Sequence, residues 1–126
     1  MPLTEEIVRS RYISLTTYRK DGTPVATPVW HVPHDEELWM VTEAASGKVK
    51  RIRNNPRVRL APCSARGTVA TDAPSLTGTA RLLDDDRTAE ARRMLAHRYV
   101  MSRVGNGLAR LLRLRRPPMI GIIVSF

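Results

Sequence analysis

Residues 42 to 60 gather most of the side chains that could do chemistry: Thr42, Ser46, Gly47, Lys48, Lys50, Arg51, Arg53, Arg57 and Arg59. Strand-like sequence ends at Thr42. A Ser46-Gly47 pair follows, then a short basic helix, then an Asn55-Pro56 break and a further strand. Small residues beside clustered cations at a helix entrance suit a phosphate. The first N–H groups of a helix have no partner within it, and the helix dipole favours an anion there. Lys48 and Arg51 are three apart and share a helix face. The segment reads as the phosphate anchor of a bound cofactor.

The elements that must position this anchor can be traced along the chain. Thr4 caps a short N-terminal helix with Glu5 and Glu6 in its first turn. Tyr12–Tyr18 alternates as a strand, and Asp21-Gly22 marks a hairpin turn. Val25–Val32 returns as a second strand. Pro28 inside it cannot donate to a ladder, which predicts an edge, a bulge or a ligand there. Leu38–Thr42, Arg57–Pro62, Ser75–Leu83 and Met119–Val124 complete six strands. Asp84-Asp85-Asp86 opens a helix over about Arg87–Met101, with Ala91, Met94, Leu95 and Tyr99 on one side. The expected fold is mainly β (α+β), one domain spanning residues 1–126: a six-stranded antiparallel split β-barrel with short peripheral helices. Side chains fill the inside of so small a barrel, so a ligand belongs on its outside or between subunits.

Composition narrows the partners. The 126 residues carry 21 basic and 12 acidic side chains, a net charge of +9. No acid follows Glu90, whereas Arg92, Arg93, Arg98, Arg103, Arg110, Arg113, Arg115 and Arg116 do. Such a field attracts polyanions: nucleic acid, an acidic membrane or a multiply charged cofactor. Few aromatics are placed for base stacking and no recognition motif is present, so nucleic acid ranks last. Val104, Leu108, Leu111 and Leu112 form an apolar stripe flanked by arginines. It reads first as an amphipathic helix packed on the barrel or on a partner subunit, and second as a weak membrane-surface contact. The start of the chain has no signal-like pattern and Cys63 is the one cysteine, which leads us to expect a cytoplasmic protein. His31, His34 and His97 lack metal-ligand spacing, so no metal is expected.

Three stretches in order carry a resemblance. They are Leu-Thr-Thr-Tyr-Arg-Lys-Asp-Gly-Thr-Pro-Val-Ala-Thr-Pro-Val-Trp over residues 15–30, then Thr-x-x-x-Ser-Gly-Lys-x-x-Arg-Ile-x-x-Asn-Pro-Arg-Val over 42–58, then a Gly-containing strand and an acid-opened helix. The chain thereby resembles the split β-barrel flavin/deazaflavin oxidoreductases, the superfamily of pyridoxamine 5′-phosphate oxidase. It most resembles their F420-dependent, PPOX-class branch. The resemblance implies that the cofactor phosphate meets Thr42, Ser46 and Lys48, with Gly47 of the same motif beside them. Arg51 stands where the oxidase branch often has Gln. The ring would lie along the second strand, here Thr27, Pro28, Val29 and Trp30. The oxidases themselves carry an Arg early in that strand and a Lys late. This chain has Val25 and Trp30 in that neighbourhood, with no Arg or Lys between Val25 and Val32. Thr-Pro-Val-Trp is typical of the deazaflavin branch.

The expected cofactor is therefore coenzyme F420, with FMN as the alternative. F420 has a phosphate diester and a glutamate tail, and Lys50 and Arg57 could meet that tail. The resemblance implies hydride transfer to or from a small organic substrate, and a homodimer whose interface holds the cofactor groove. A flavin- or deazaflavin-binding protein without turnover is the rival from another class. No catalytic residue is assigned; His31 and Tyr18 are conceivable proton donors.

Overall fold

A computed structural model describes residues 5–98 and 118–126. Its elements are α1 (Glu5–Arg9), β1 (Tyr12–Tyr18), β2 (Pro24–Val29), β3 (Val32–His34), β4 (Glu37–Glu43), α2 (Gly47–Asn54), β5 (Arg57–Cys63), β6 (Leu76–Leu82), α3 (Asp85–Arg98) and β7 (Met119–Ser125). The Thr4 cap, Tyr99 and the Arg/Leu stripe from Val104 to Arg116 lie outside the described residues.

Among the described residues, all seven strands join one antiparallel sheet in the order β2-β1-β5-β6-β7-β4-β3. The strand count corrects the expectation of six. The run Val25–Val32 is two strands: β2 ends at Val29, and Val32–His34 pairs instead with β4. Asp35 and Glu36, at φ 51° and 64°, then make the tight turn into β4. Left-handed backbone at both central positions suits the twist of a two-residue hairpin.

The sheet is not closed, since β2 pairs with β1 and β3 with β4 at its two ends. Only Trp30 and His31 separate these opposite edges in sequence. Seven flat strands would hold their edges roughly 29 Å apart. Three Cα steps reach at most about 11 Å. The sheet must therefore curl almost into a cylinder, split beside residues 30–31. Pro28 lies on the edge strand β2, where its missing donor costs no ladder bond.

Alternation then builds two cores. Ile13, Leu15, Leu38, Met40, Val58, Leu60, Ala80, Ile122 and Val124 fill the inside, with Ile7 of α1 and Ile52 of α2. Trp39, Ile123 and Ala91 form the second cluster, where α3 packs on the outside of β4 and β7. Burial on both faces explains the unbroken apolar run of β7. α3 and the residue leading into it come close to β7 at Gly121. A Cβ there would meet Leu83 Cδ1 at 2.8 Å and Thr88 Oγ1 at 3.3 Å. Asp84 caps α3 as expected, accepting from the Arg87 N–H at 2.8 Å.

Candidate cofactor site

The residues expected to form the anchor lie at and beside the N-terminus of α2. Ser46 is the N-cap, with extended backbone (φ −70°, ψ 157°), and makes no side-chain capping bond. Its Oγ is buried without a hydrogen-bond partner. The first turn contains no acidic residue. A helix start usually satisfies its outward N–H groups with a Ser, Asp or Glu side chain. Here the hydroxyl is present and disengaged. Val49 and Ile52 face the protein and hold α2 in place.

Two cations flank this helix start. Lys48 Nζ donates to Thr42 Oγ1 at 3.2 Å, tying the helix to the end of β4. Arg51 Nε donates to Thr17 Oγ1 at 2.7 Å, tying it to β1. The Arg51 guanidinium folds back over Gly47; a Cβ on residue 47 would lie 2.8 Å from Arg51 Nη1. Among the described residues neither cation forms an ion pair with a carboxylate. Partial burial, reinforced by the nearby Arg51 charge and opposed by Glu43, holds the Lys48 ammonium below its ordinary pKa. A bound anion would reverse that shift.

Beside the anchor is an open depression of ≈ 530 Å³ lined by Arg19, Lys20, Gly47, Lys50, Arg51, Arg53 and Asn54. Thr17, Arg19 and Lys20 were not foreseen as site residues. Arg19-Lys20 read only as part of a turn, yet that turn brings two further cations beside α2. Arg57 lines a second depression of ≈ 260 Å³ with Tyr18, Gly22, Asn55, Arg59 and Thr77; Tyr18 and Asn55 are chain neighbours of Arg19 and Asn54 in the first. The structure therefore brings Lys48 and Arg51 together at the helix start, with Lys50 lining one depression beside Arg51 and Arg57 lining another.

On β2, Val25, Thr27 and Val29 are half-buried while Ala26 and Pro28 are exposed. Thr27 Oγ1 is buried without a partner, a second disengaged hydroxyl among the expected site residues. Trp30 is 43% exposed. It lines a largely apolar groove of ≈ 480 Å³ together with Val41, Leu95, Met119 and Arg92. His31 is not a solvent-facing donor. It is fully buried, with Nε2 2.7 Å from the Ser10 carbonyl. Burial pushes its pKa down from 6.5 to about 4, with Arg98 adding to the effect against the Ser10 bond. The imidazole is neutral at pH 7, and facing a carbonyl it carries its proton on Nε2.

These features fit a phosphate-bearing cofactor. A disengaged Ser46 hydroxyl, a bare Gly47 and two cations without carboxylate partners surround one helix N-terminus.

Comparison with known proteins gives the family and the fold. The family model for pyridoxamine 5′-phosphate oxidase matches residues 3–116. A conserved hypothetical protein from Mycobacterium tuberculosis, Rv2991, superposes over 98% of this chain and 80% of its own, with TM-score 0.72 and 21% identity. An F420 reductase superposes over 96% and 90%, with TM-score 0.66 and 21% identity. The haem storage protein HutZ from Vibrio cholerae superposes over 96% and 84%, with TM-score 0.65 and 14% identity. At such identities these likenesses concern the fold. No curated protein sequence matches the chain.

Proposed function

The chain belongs to the pyridoxamine 5′-phosphate oxidase family, and from that premise we propose that it is an F420-dependent oxidoreductase acting on a small organic molecule. The observation that carries the reading is the N-terminus of α2, where the buried Ser46 hydroxyl has no partner and no acid occupies the first turn. Thr42, Ser46, Gly47, Lys48 and Arg51 would hold the phosphate. Thr27, Pro28, Val29 and Trp30 would flank the ring. When bound, the deazaflavin supplies hydride chemistry and the protein supplies orientation.

The preference for F420 over FMN rests on charge beyond the phosphate. Arg19, Lys20, Lys50 and Arg53 extend the cationic surface away from Gly47, which suits an anionic tail. Exposed ion pairs contribute about 0–1 kcal/mol each, so several weak contacts would hold a mobile chain. Arg57, lining the second depression, is a less direct contributor. A second copy of the chain would close the groove, and the protein would work in the cytoplasm.

The test is turnover. Purified protein is mixed with reduced F420 and a panel of small electrophilic acceptors, and the return of oxidised-cofactor fluorescence is followed. Acceptor-dependent oxidation that requires the protein supports the enzyme reading. Tight binding without oxidation by any acceptor supports a carrier.

A further inference from the structure

The two residues joining the opposite edges of the sheet differ sharply in surroundings. Trp30 is 43% exposed and His31 is 0% exposed. Across 21 residues, the His31 Nε2–H donates to the Ser10 carbonyl at 2.7 Å, just beyond α1. Arg98, at the end of α3, reaches the same place: its Nη2 donates to Val8 O at 2.7 Å and lies 3.4 Å from Ser10 O. Carbonyls at a helix exit lack intrahelical partners. Here they receive an imidazole from the split and a guanidinium from α3.

We propose that His31 is a positioning residue whose bond to Ser10 fixes the placement of Trp30 and the end of β2 against the groove wall formed by α3. The neighbours of Trp30 make the connection concrete. Its ring sits 6.4 Å from that of Tyr12, two residues after Ser10. Its groove is walled by Ala89, Arg92 and Leu95 of α3, the helix that Arg98 fastens to the same exit. Ser10, His31 and Arg98 therefore join both walls of the groove to one loop. Packing alone would not call for a histidine here. A buried imidazole is costly unless hydrogen-bonded, whereas an aliphatic side chain is not. What the imidazole adds is direction.

The geometric claim stands without any cofactor. Its consequence for the ring rests on the reading that β2 flanks the cofactor. The experiment compares wild type, His31→Leu and His31→Gln in the full chain. Acrylamide quenching of tryptophan fluorescence without cofactor reports the exposed Trp30 over Trp39, which is 3% exposed. Folded His31→Leu is expected to change the quenching constant clearly, and His31→Gln, whose amide can donate over a similar reach, to restore it. F420 affinity should fall about threefold to tenfold in His31→Leu, the equivalent of one neutral hydrogen bond, with its salt dependence unchanged. Quenching in His31→Leu identical to wild type would overturn the proposal, as would failure of Gln to restore it. If wild type does not bind F420, the cofactor reading fails while quenching still decides the positioning role. Should His31→Leu not fold, ring nitrogen NMR of the wild type decides. A slowly exchanging Nε2–H supports the bond to Ser10, and an Nδ1–H tautomer overturns it.

Discussion

Arg51 and Thr17 lie 34 residues apart and are joined by one hydrogen bond, from Nε to Oγ1 at 2.7 Å. The bond uses the inner edge of the guanidinium and sets its Nη1 over Gly47. A flexible cation is thereby held at the helix N-terminus before any anion arrives. Thr17→Val keeps the shape and removes the acceptor. Leaving a part-buried charged donor unpaired should cost about 1–3 kcal/mol. A lower urea midpoint together with weaker F420 binding is expected; no change in either would show that the bond orients nothing.

Gly47→Ala separates stability from binding. Alanine is favoured over glycine by up to about 1 kcal/mol inside a helix and by less at its first position, which Gly47 occupies. The alanine Cβ, however, would sit 2.8 Å from Arg51 Nη1 and push the guanidinium aside. We expect an unchanged or raised melting temperature with reduced cofactor affinity, measured by calorimetry and fluorescence titration. Wild-type affinity would mean that Arg51 does not contact the phosphate.

Lys48→Ala should weaken F420 binding by about 1–3 kcal/mol, the scale of a charge-assisted hydrogen bond. Affinity should also depend on alkaline pH. The free Lys48 titrates below its ordinary 10.5, and a bound anion would raise that value. Binding therefore takes up protons and weakens as pH rises through the depressed pKa. Lys48→Arg should flatten this decline, so a variant that retains it would place the titrating group elsewhere.

His31 makes stability depend on acid. Its folded pKa, about 4, lies below the ordinary 6.5. The unfolded chain therefore binds the proton first as pH falls. Its contribution is intact above about pH 6.5 and is lost progressively down to about pH 4, by about 3 kcal/mol in all. The difference between wild type and His31→Leu in chemical denaturation, followed across this range, isolates the effect from the carboxylates. A constant difference would contradict the buried neutral imidazole.

Salt should weaken F420 binding more than FMN binding, because screening acts on exposed contacts to the tail. Charge reversal at Lys20 or Arg53, both outside the phosphate anchor and lining the same depression, should reduce that difference in slope. Equal slopes for the two cofactors would argue that the tail is not recognised.

Much of this architecture was legible because it rests on local patterns. Alternation over Tyr12–Tyr18, the Asp21-Gly22 turn, the acid-capped α3 and the Ser46-Gly47 helix start all act within a few residues. The break at Trp30-His31 was not legible. Val25–Val32 is uniformly strand-like, and only the curl of the whole sheet makes its two ends opposite edges. Arg19 and Lys20 were missed for a similar reason: a hairpin turn says nothing about which distant helix it will approach. Arg57 was expected, with Lys50, to meet the cofactor's tail. Entry into β5 after Asn55-Pro56 instead carries it to the second depression with Tyr18 and Thr77.

The central claim is that this surface recognises F420. The direct measurement is a titration of the purified protein with F420 and, separately, with FMN, following cofactor fluorescence. The account predicts an F420 dissociation constant of about 1 μM or tighter, near 8 kcal/mol of binding free energy, with FMN clearly weaker. FMN bound more tightly than F420, or neither bound, would contradict it.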